Sequence, residues 1–237
     1  INFCQRHNDE LQLRVAHAPH RLAGLAALPM QDISAACEEL ERAILELGLI
    51  GAYIGTDIGR PLDSPEMDPF YEKLVALDVP LFIHPAPAGI DGPKGDSNLN
   101  RFDLDILTGF AAQETIAVAT LIFGGVLDRH PTLSVCFSHA GGAIPMLIGR
   151  LNEAGNRRPW ASENLRKDGA FESYLSKLWF DAHIHDQRVL DFVVTILGKD
   201  NLVLGTNFAG WDQHHIHGDD VWLNCLADNA RRLLRFN

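Results

Sequence analysis

Residues 133–150 read LSVCFSHAGGAIPMLIGR, from Leu133 to Arg150. The apolar run LSVCFS stops at His139, two glycines follow, and apolar residues then recur at helical spacing over 143–152. This predicts a buried strand, a tight turn and a helix, with a chemically capable side chain at the strand exit. The same unit repeats to either side. Residues 21–29 form an apolar run closed by Pro29. A helix over 32–48 follows, with Ile33, Ala36, Leu40, Ile44 and Leu47 on one face and Gly48 able to cap it. Residues 50–56 precede a helix over 68–77, and 79–84 (VPLFIH) precede a long helical stretch over 104–129. A strand at 178–183 leads to a helix at 187–197, and a last strand at 202–205 leads to a helix at 220–234.

Six strand–helix units with continuously apolar strands predict a parallel sheet covered by helices on both faces. An open doubly wound sheet and a barrel both satisfy that pattern. No GxGxxG or GxxxxGK[ST] follows any strand, which weakens a nucleotide-binding open sheet. Polar residues fall instead at successive strand ends, namely Asp57, His84, His139, His183 and Asn207. Chemistry spread over several strand ends is how a (β/α)₈ TIM-type barrel builds its site. The expectation is therefore an α/β protein with one barrel domain over residues 1–237, free of internal repeats and linkers. The polar loop at 89–98 is placed to act as a lid or substrate loop.

Composition narrows the functional classes. The 237 residues are 46% hydrophobic and 22% charged, with a formal net charge of −11. That suits a single large core and provides no basic surface for a nucleic-acid partner. No apolar run reaches the ~18 residues of a membrane span, and no signal-peptide pattern is visible. Cys4, Cys37, Cys136 and Cys225 are scattered without CxxC spacing, as expected of reduced cysteines in a cytoplasmic protein. The chain begins Ile1-Asn2-Phe3-Cys4, without an initiator Met.

Two histidines carry the chemistry. His84, fixed by Pro85 at the exit of LFIH, either points imidazole into the barrel mouth as a metal ligand or bonds a loop carbonyl. His139 is suited to metal ligation or to acid–base work near neutral pH, and its two glycines let backbone approach a ligand closely. Arg150, eleven residues beyond His139 on the next helix, does not obviously reach the same pocket.

The strings RLAGLAALPMQD (21–32), LFIHP (81–85), IFGGVLDRHPTLSVCFSHAGGAIPMLIGRL (122–151) and NLVLGTN (201–207) together resemble successive blocks of one family. It is the aminocarboxymuconate-semialdehyde decarboxylase-like branch of the amidohydrolases, which includes aromatic-acid decarboxylases. DNARRLL (228–234) resembles its last helix. The resemblance implies a distorted (β/α)₈ barrel holding one divalent metal, usually zinc, with manganese an alternative. It implies an HxH metal pair on the first strand, a later metal histidine at His84, a catalytic histidine at His139 and a substrate-carboxylate arginine at Arg150. In some members that arginine acts across a dimer interface, so a homodimer is the expectation.

The chain departs from this pattern. Its six units number fewer than the family's eight, and the HxH strand is expected before Ile1, making the barrel N-terminally incomplete. Asn207 stands where the family usually has Asp, offering a neutral carbonyl oxygen in place of a carboxylate. Asp212, in the same loop, is a candidate to compensate. The HxH at His183 and His185 matches the family's seventh strand, where metal ligation is not expected. His214, His215 and His217 read as a surface loop cluster, and His130 as a structural residue at a helix C-terminus. Phe208 and Trp211 flank the last strand, where they could wall an aromatic substrate; Trp160 reads as a packing residue. The resemblance implies metal-dependent, non-oxidative decarboxylation of an aromatic or conjugated carboxylic acid. A lactonase-type hydrolase and an inactive ligand-binding relative are the alternatives.

Overall fold

The protein is described by a computed structural model covering residues 1–86, 96–213 and 220–236. Most of the expected loop at 89–98, and His214, His215 and His217, lie outside the described residues. Six parallel strands pair strictly in sequence order. They are β1 (Ala26–Ala27), β2 (Ala52–Gly55), β3 (Leu81–His84), β4 (Val135–Phe137), β5 (Trp179–Asp181) and β6 (Leu202–Val203). The helices are α1 (Asn2–His17), α2 (Ile33–Leu45), α3 (Asp68–Ala76), α4 (Phe110–Phe123), α5 (Val126–Arg129), α6 (Ile144–Arg157), α7 (Ala170–Leu175), α8 (Gln187–Leu197) and α9 (Asp220–Leu233). All six expected strands are present, each shorter than its apolar run. Backbone bonds such as Ile50 N–H to the Gly24 carbonyl (3.0 Å) and Leu81 N–H to Ser134 (2.9 Å) extend the pairing beyond these cores.

Register divides the sheet into two faces. The rows Ala26–Ala52–Leu81–Val135 and Ile54–Ile83–Phe137–Phe180–Leu202 run across neighbouring strands. Their side chains join Leu40, Phe70, Leu74 and Leu121 of the surrounding helices in the main core. The alternate row, Ala27–Tyr53–Phe82–Cys136–Trp179, points the other way. Cys136 and Val203 on that side pack with Leu233 of α9 in a smaller cluster. The period-two alternation therefore gives one face to the helices and leaves the other for the site.

Two helices escaped the sequence reading. Helix α1 is mostly solvent-exposed, with no continuous apolar stripe to announce it; its anchor is polar. Asn8 is fully buried, and its amide both accepts from Ala27 N–H and donates to the Ala27 carbonyl, each at 2.9 Å. Ala26 N–H already bonds β2, so Asn8 occupies the outward pair of groups on β1, as a further strand would. The same amide donates to Glu39 of α2 at 2.7 Å. Helix α7 is six residues long, too short for a clear period.

The long stretch at 104–129 is three pieces: a π-helical turn (Asp105–Gly109), α4 and α5. Gly125, at φ +71°, makes the break. Residues Asp105–Phe123 are long and apolar enough to cross a membrane by length and composition, which corrects the expectation that no such segment exists. Ala117, Val118, Leu121 and Ile122 bury one face of α4 in the core, and Glu114 is fully buried beside them. That is the environment of a core helix. His130 sits after α5, where Asp68 bonds its Nε2 at 2.9 Å, and Trp160 packs on Phe123 with ring centroids 4.9 Å apart.

Replacing Asn8 with Ala strands the Ala27 groups at the β1 edge and one Glu39 bond, so we expect a loss of about 2–3 kcal/mol in urea unfolding. Asp68 supplies a pH-dependent test. Partial burial pushes its carboxyl up, but bonds from His130 and Arg129 outweigh this and hold it below the usual range. Its stabilisation is present above the ordinary carboxylate pKa and is lost as pH falls through the depressed folded value. Asp68→Asn should cost about 1 kcal/mol at pH 7, and the difference from wild type should begin to shrink below about pH 4 and vanish only once pH falls below the depressed folded value.

Candidate active site

The C-terminal ends of β3, β4 and β5 open onto a cavity of about 920 Å³. Ile106, Leu107, Phe110 and Ala111, from the π-helical turn and the start of α4, form its apolar wall. His84, His139, His185, Asn207, Trp211 and Asp212 supply most of the remainder. An apolar cavity with convergent polar groups at parallel-strand ends has the form of a small-molecule pocket.

His139 is held by an unusual turn. Four consecutive residues have positive φ: His139 (46°), Ala140 (53°), Gly141 (71°) and Gly142 (68°). Non-glycine residues avoid this region, so His139 and Ala140 carry strain that the surroundings must sustain. Packing alone already requires both glycines. A Cβ on Gly142 would lie 2.0 Å from the Ala111 carbonyl oxygen of α4. The turn is then tied to α4 twice more. Thr115 Oγ1 accepts the Ala143 N–H at 2.8 Å, and Glu114 bonds His139 Nδ1 at 3.2 Å.

Glu114 is the site residue that sequence reading missed. Burial pushes its carboxyl up to about 7, although His139 pulls the other way. Burial would depress His139, but the Glu114 hydrogen bond and charge, aided by Asp181 and Asp212, raise it above the ordinary imidazole value. The hydrogen bond and charge therefore couple the two proton affinities, an arrangement suited to a general acid–base group. One signal was available: in AAQETIAVATLIF, Glu114 is the only charged residue of a mostly apolar helix. Gln113 beside it accepts from Thr56 Oγ1 (2.7 Å) and Ala86 N–H (3.0 Å), bracing the β2 and β3 ends.

The histidines form a chain of rings. His84 and His139 lie 5.8 Å apart between centroids, His139 and His183 5.4 Å, and His183 and His185 4.9 Å. His84 Nδ1 bonds the Pro85 carbonyl at 2.8 Å, the loop-carbonyl bond that was one of the two sequence readings. A carbonyl on Nδ1 fixes the tautomer that presents Nε2 as a lone-pair donor, the arrangement common to metal-binding histidines. Burial lowers the His84 pKa, partly offset by that carbonyl bond, and favours the neutral ring a metal requires. The donor chemistry at these strand ends therefore suits a divalent ion.

Asp212 gathers the other end of the chain. His183 Nε2 lies 3.1 Å and His185 Nε2 3.7 Å from Asp212 Oδ2, and Asn207 Nδ2 donates to Asp212 Oδ1. Burial pushes the Asp212 carboxyl up, but bonds from His183 and Asn207 prevail and hold it low. Asn207 also has a positive φ, +43°, a region that Asn adopts more readily than most residues. The structure thus brings together His84, His139, Asn207 and Trp211 of the expected residues. Phe208 is 83% exposed and does not line the cavity. Arg150 is exposed on α6, also outside the lining, so within one chain it does not meet His139.

The amidohydrolase family model matches residues 1–236, and the chain belongs to this family. It is 36% identical over 209 residues to 2-amino-3-carboxymuconate-6-semialdehyde decarboxylase of Dictyostelium discoideum, an alignment covering 88% of this chain and 56% of that protein. It is 34% identical over 243 residues to gamma-resorcylate decarboxylase of Rhodococcus jostii (strain RHA1), covering 96% and 71% respectively. The chain thus spans little more than half of the first relative. The crystal structure of 5-carboxyvanillate decarboxylase from Novosphingobium aromaticivorans, complexed with manganese and 4-hydroxy-3-methoxy-5-nitrobenzoic acid, superposes with a TM-score of 0.86 at 23% identity. That superposition covers 99% of this chain and 70% of the other. The fold is accordingly that of the family's (β/α)₈ barrel, of which the described strands form six consecutive staves.

Glu114→Gln keeps the size of the side chain and removes its charge. The His139 imidazole should then titrate at lower pH, measured by NMR on metal-free protein; an unchanged pKa would show that Glu114 does not control it.

Proposed function

We propose that the cavity performs metal-dependent, non-oxidative decarboxylation of an aromatic or conjugated unsaturated carboxylic acid. The observation that carries this reading is His139, held at the cavity by a strained turn and hydrogen-bonded to Glu114, whose bond and charge raise its proton affinity above that of an ordinary imidazole. In the reaction the bond between the ring carbon and the carboxylate breaks and its electron pair stays in the conjugated system. His139 delivers a proton to that carbon, and carbon dioxide leaves. The apolar wall of Ile106, Leu107 and Phe110 favours a flat conjugated body and excludes water, with Trp211 at the rim available to stack on it.

His84, with neighbouring donors at the last strand end where Asn207 stands, would hold the divalent ion, zinc or manganese. Bound there, it supplies Lewis acidity towards a substrate oxygen next to the carboxylate. Arg150 would bind a carboxylate from across a homodimer interface, since its exposed position on α6 directs it away from its own cavity. Phe208, equally exposed, would contribute to the substrate site only through the same kind of contact. The relatives' activities as small-molecule decarboxylases support this reading, and a cytoplasmic location is consistent with it.

A panel of hydroxybenzoic and unsaturated dicarboxylic acids, assayed for carbon dioxide release on metal-loaded protein, tests it. His139→Ala should lower turnover by about 10²–10⁴-fold. Full turnover in that variant, or hydrolysis products without carbon dioxide, would overturn the assignment.

A further inference from the structure

The metal histidine and the last-strand carboxylate that the family resemblance calls for are only half present here, because position 207 is Asn. Its amide does not stand alone. Asn207 Nδ2 donates to Asp212 Oδ1, which turns the other oxygen, Oδ2, towards His183 Nε2 (3.1 Å) and His185 Nε2 (3.7 Å). The ligand atoms of His183, His185 and Asp212 all lie within 4.8 Å of one another. Zinc-like ions hold histidine nitrogen and carboxylate oxygen at ~2.0–2.2 Å, so one ion fits among the three with small side-chain shifts.

Their exposures suit such a site. The His183 side chain is 3% exposed and Asp212 19%, while His185, at 52%, faces the opening. Both histidines lie just beyond β5, with ring centroids 4.9 Å apart. The backbone around His183 is anchored as well, because its N–H bonds Asp181 Oδ1 at 3.1 Å. A carboxylate at 207 would meet the Asp212 charge directly, whereas an amide donates to it. Asn207 is therefore suited to orient a ligand and poorly suited to replace one.

The geometry points to a divalent-metal site formed by His183, His185 and Asp212, with Asn207 as the residue that positions Asp212. The site borders the cavity: His185 and Asp212 line it, and the His183 ring lies 5.4 Å from that of His139. This inference rests on reading the cavity as a metal centre, but moves the carboxylate ligand from position 207 to 212 and recruits the HxH pair beyond β5. Two or three protein donors leave coordination positions for a substrate oxygen, the requirement for a catalytic rather than a structural ion.

The test is cobalt(II) titration of chelator-treated chain, followed by visible absorbance and calorimetry, with the thermal midpoint measured with and without metal. Wild type should bind one cobalt per chain, show d–d bands and gain thermal stability. His185→Ala and Asp212→Ala should each weaken binding by at least about 100-fold, and Asn207→Ala by about 10–100-fold. His185 is exposed, so the metal-free variant should unfold at the wild-type temperature, which separates ligand loss from misfolding. Wild-type affinity in both His185→Ala and Asp212→Ala would overturn the site. If His84→Ala alone then abolished binding, the decarboxylase reading would stand with its metal elsewhere. Tight cobalt binding by these three residues without carbon dioxide release would do the reverse, upholding the site and rejecting the activity.

Discussion

The hydrogen bond between Glu114 and His139 is the constraint on which the site depends. It joins the core helix α4 to a turn whose backbone is unfavourable by itself. Neither partner is stable as placed without the other. A fully buried carboxylate is costly unless bonded, and a left-handed histidine is costly unless held. The contact offsets both costs at the point where β4 meets the cavity. Thr115 and Gln113, one position to either side of Glu114, bind the backbone of the β4 turn and the β3 exit. A single turn of helix thus sets the positions of two strand ends.

The sheet allows this because its two faces do different work. Residues such as Leu81, Ile83, Val135 and Phe137 commit one face to the helices, giving the scaffold its rigidity. The other face carries Tyr53, Phe82 and Trp179 in one row and places His84 and Asp181 beyond it. Tyr53 and His84 stack at 5.8 Å, so the site begins where packing on that face ends. Desolvation raises the Asp181 carboxyl although neighbouring histidines oppose it. The strand ends therefore form an electrostatically coupled floor on a fixed frame.

Much of this was legible in the residues. Alternating apolar runs located all six strands, and Asp32 and Gly48 marked the limits of α2, where Asp32 does accept from Ala35 N–H at 3.1 Å. The strand-end rule found His84 and His139 because both follow an uninterrupted apolar run. It missed Glu114, which reaches the site from mid-helix, where a lone charge in an apolar stripe has no fixed direction until the turn of α4 is known. It did not group His183 and His185 with Asp212. They are separated by a strand and a loop, and only the register of β5 with β6 brings them together. Helix α1 left no hydrophobic trace because its attachment is an amide. Polar anchoring is invisible to periodicity.

The HAGG turn has a consequence for how this protein would tolerate change. Gly142 touches no reacting atom, yet any side chain there collides with the Ala111 carbonyl and would lever the turn away from α4. A saturation-mutagenesis map scored by turnover would therefore mark Gly142 as intolerant as His139 itself. The two would be distinguished only by a chemical rescue experiment, in which added imidazole restores a missing proton carrier but not a displaced backbone. Change at this turn is thus limited by steric fit at position 142, and His139 inherits its immobility from a neighbour.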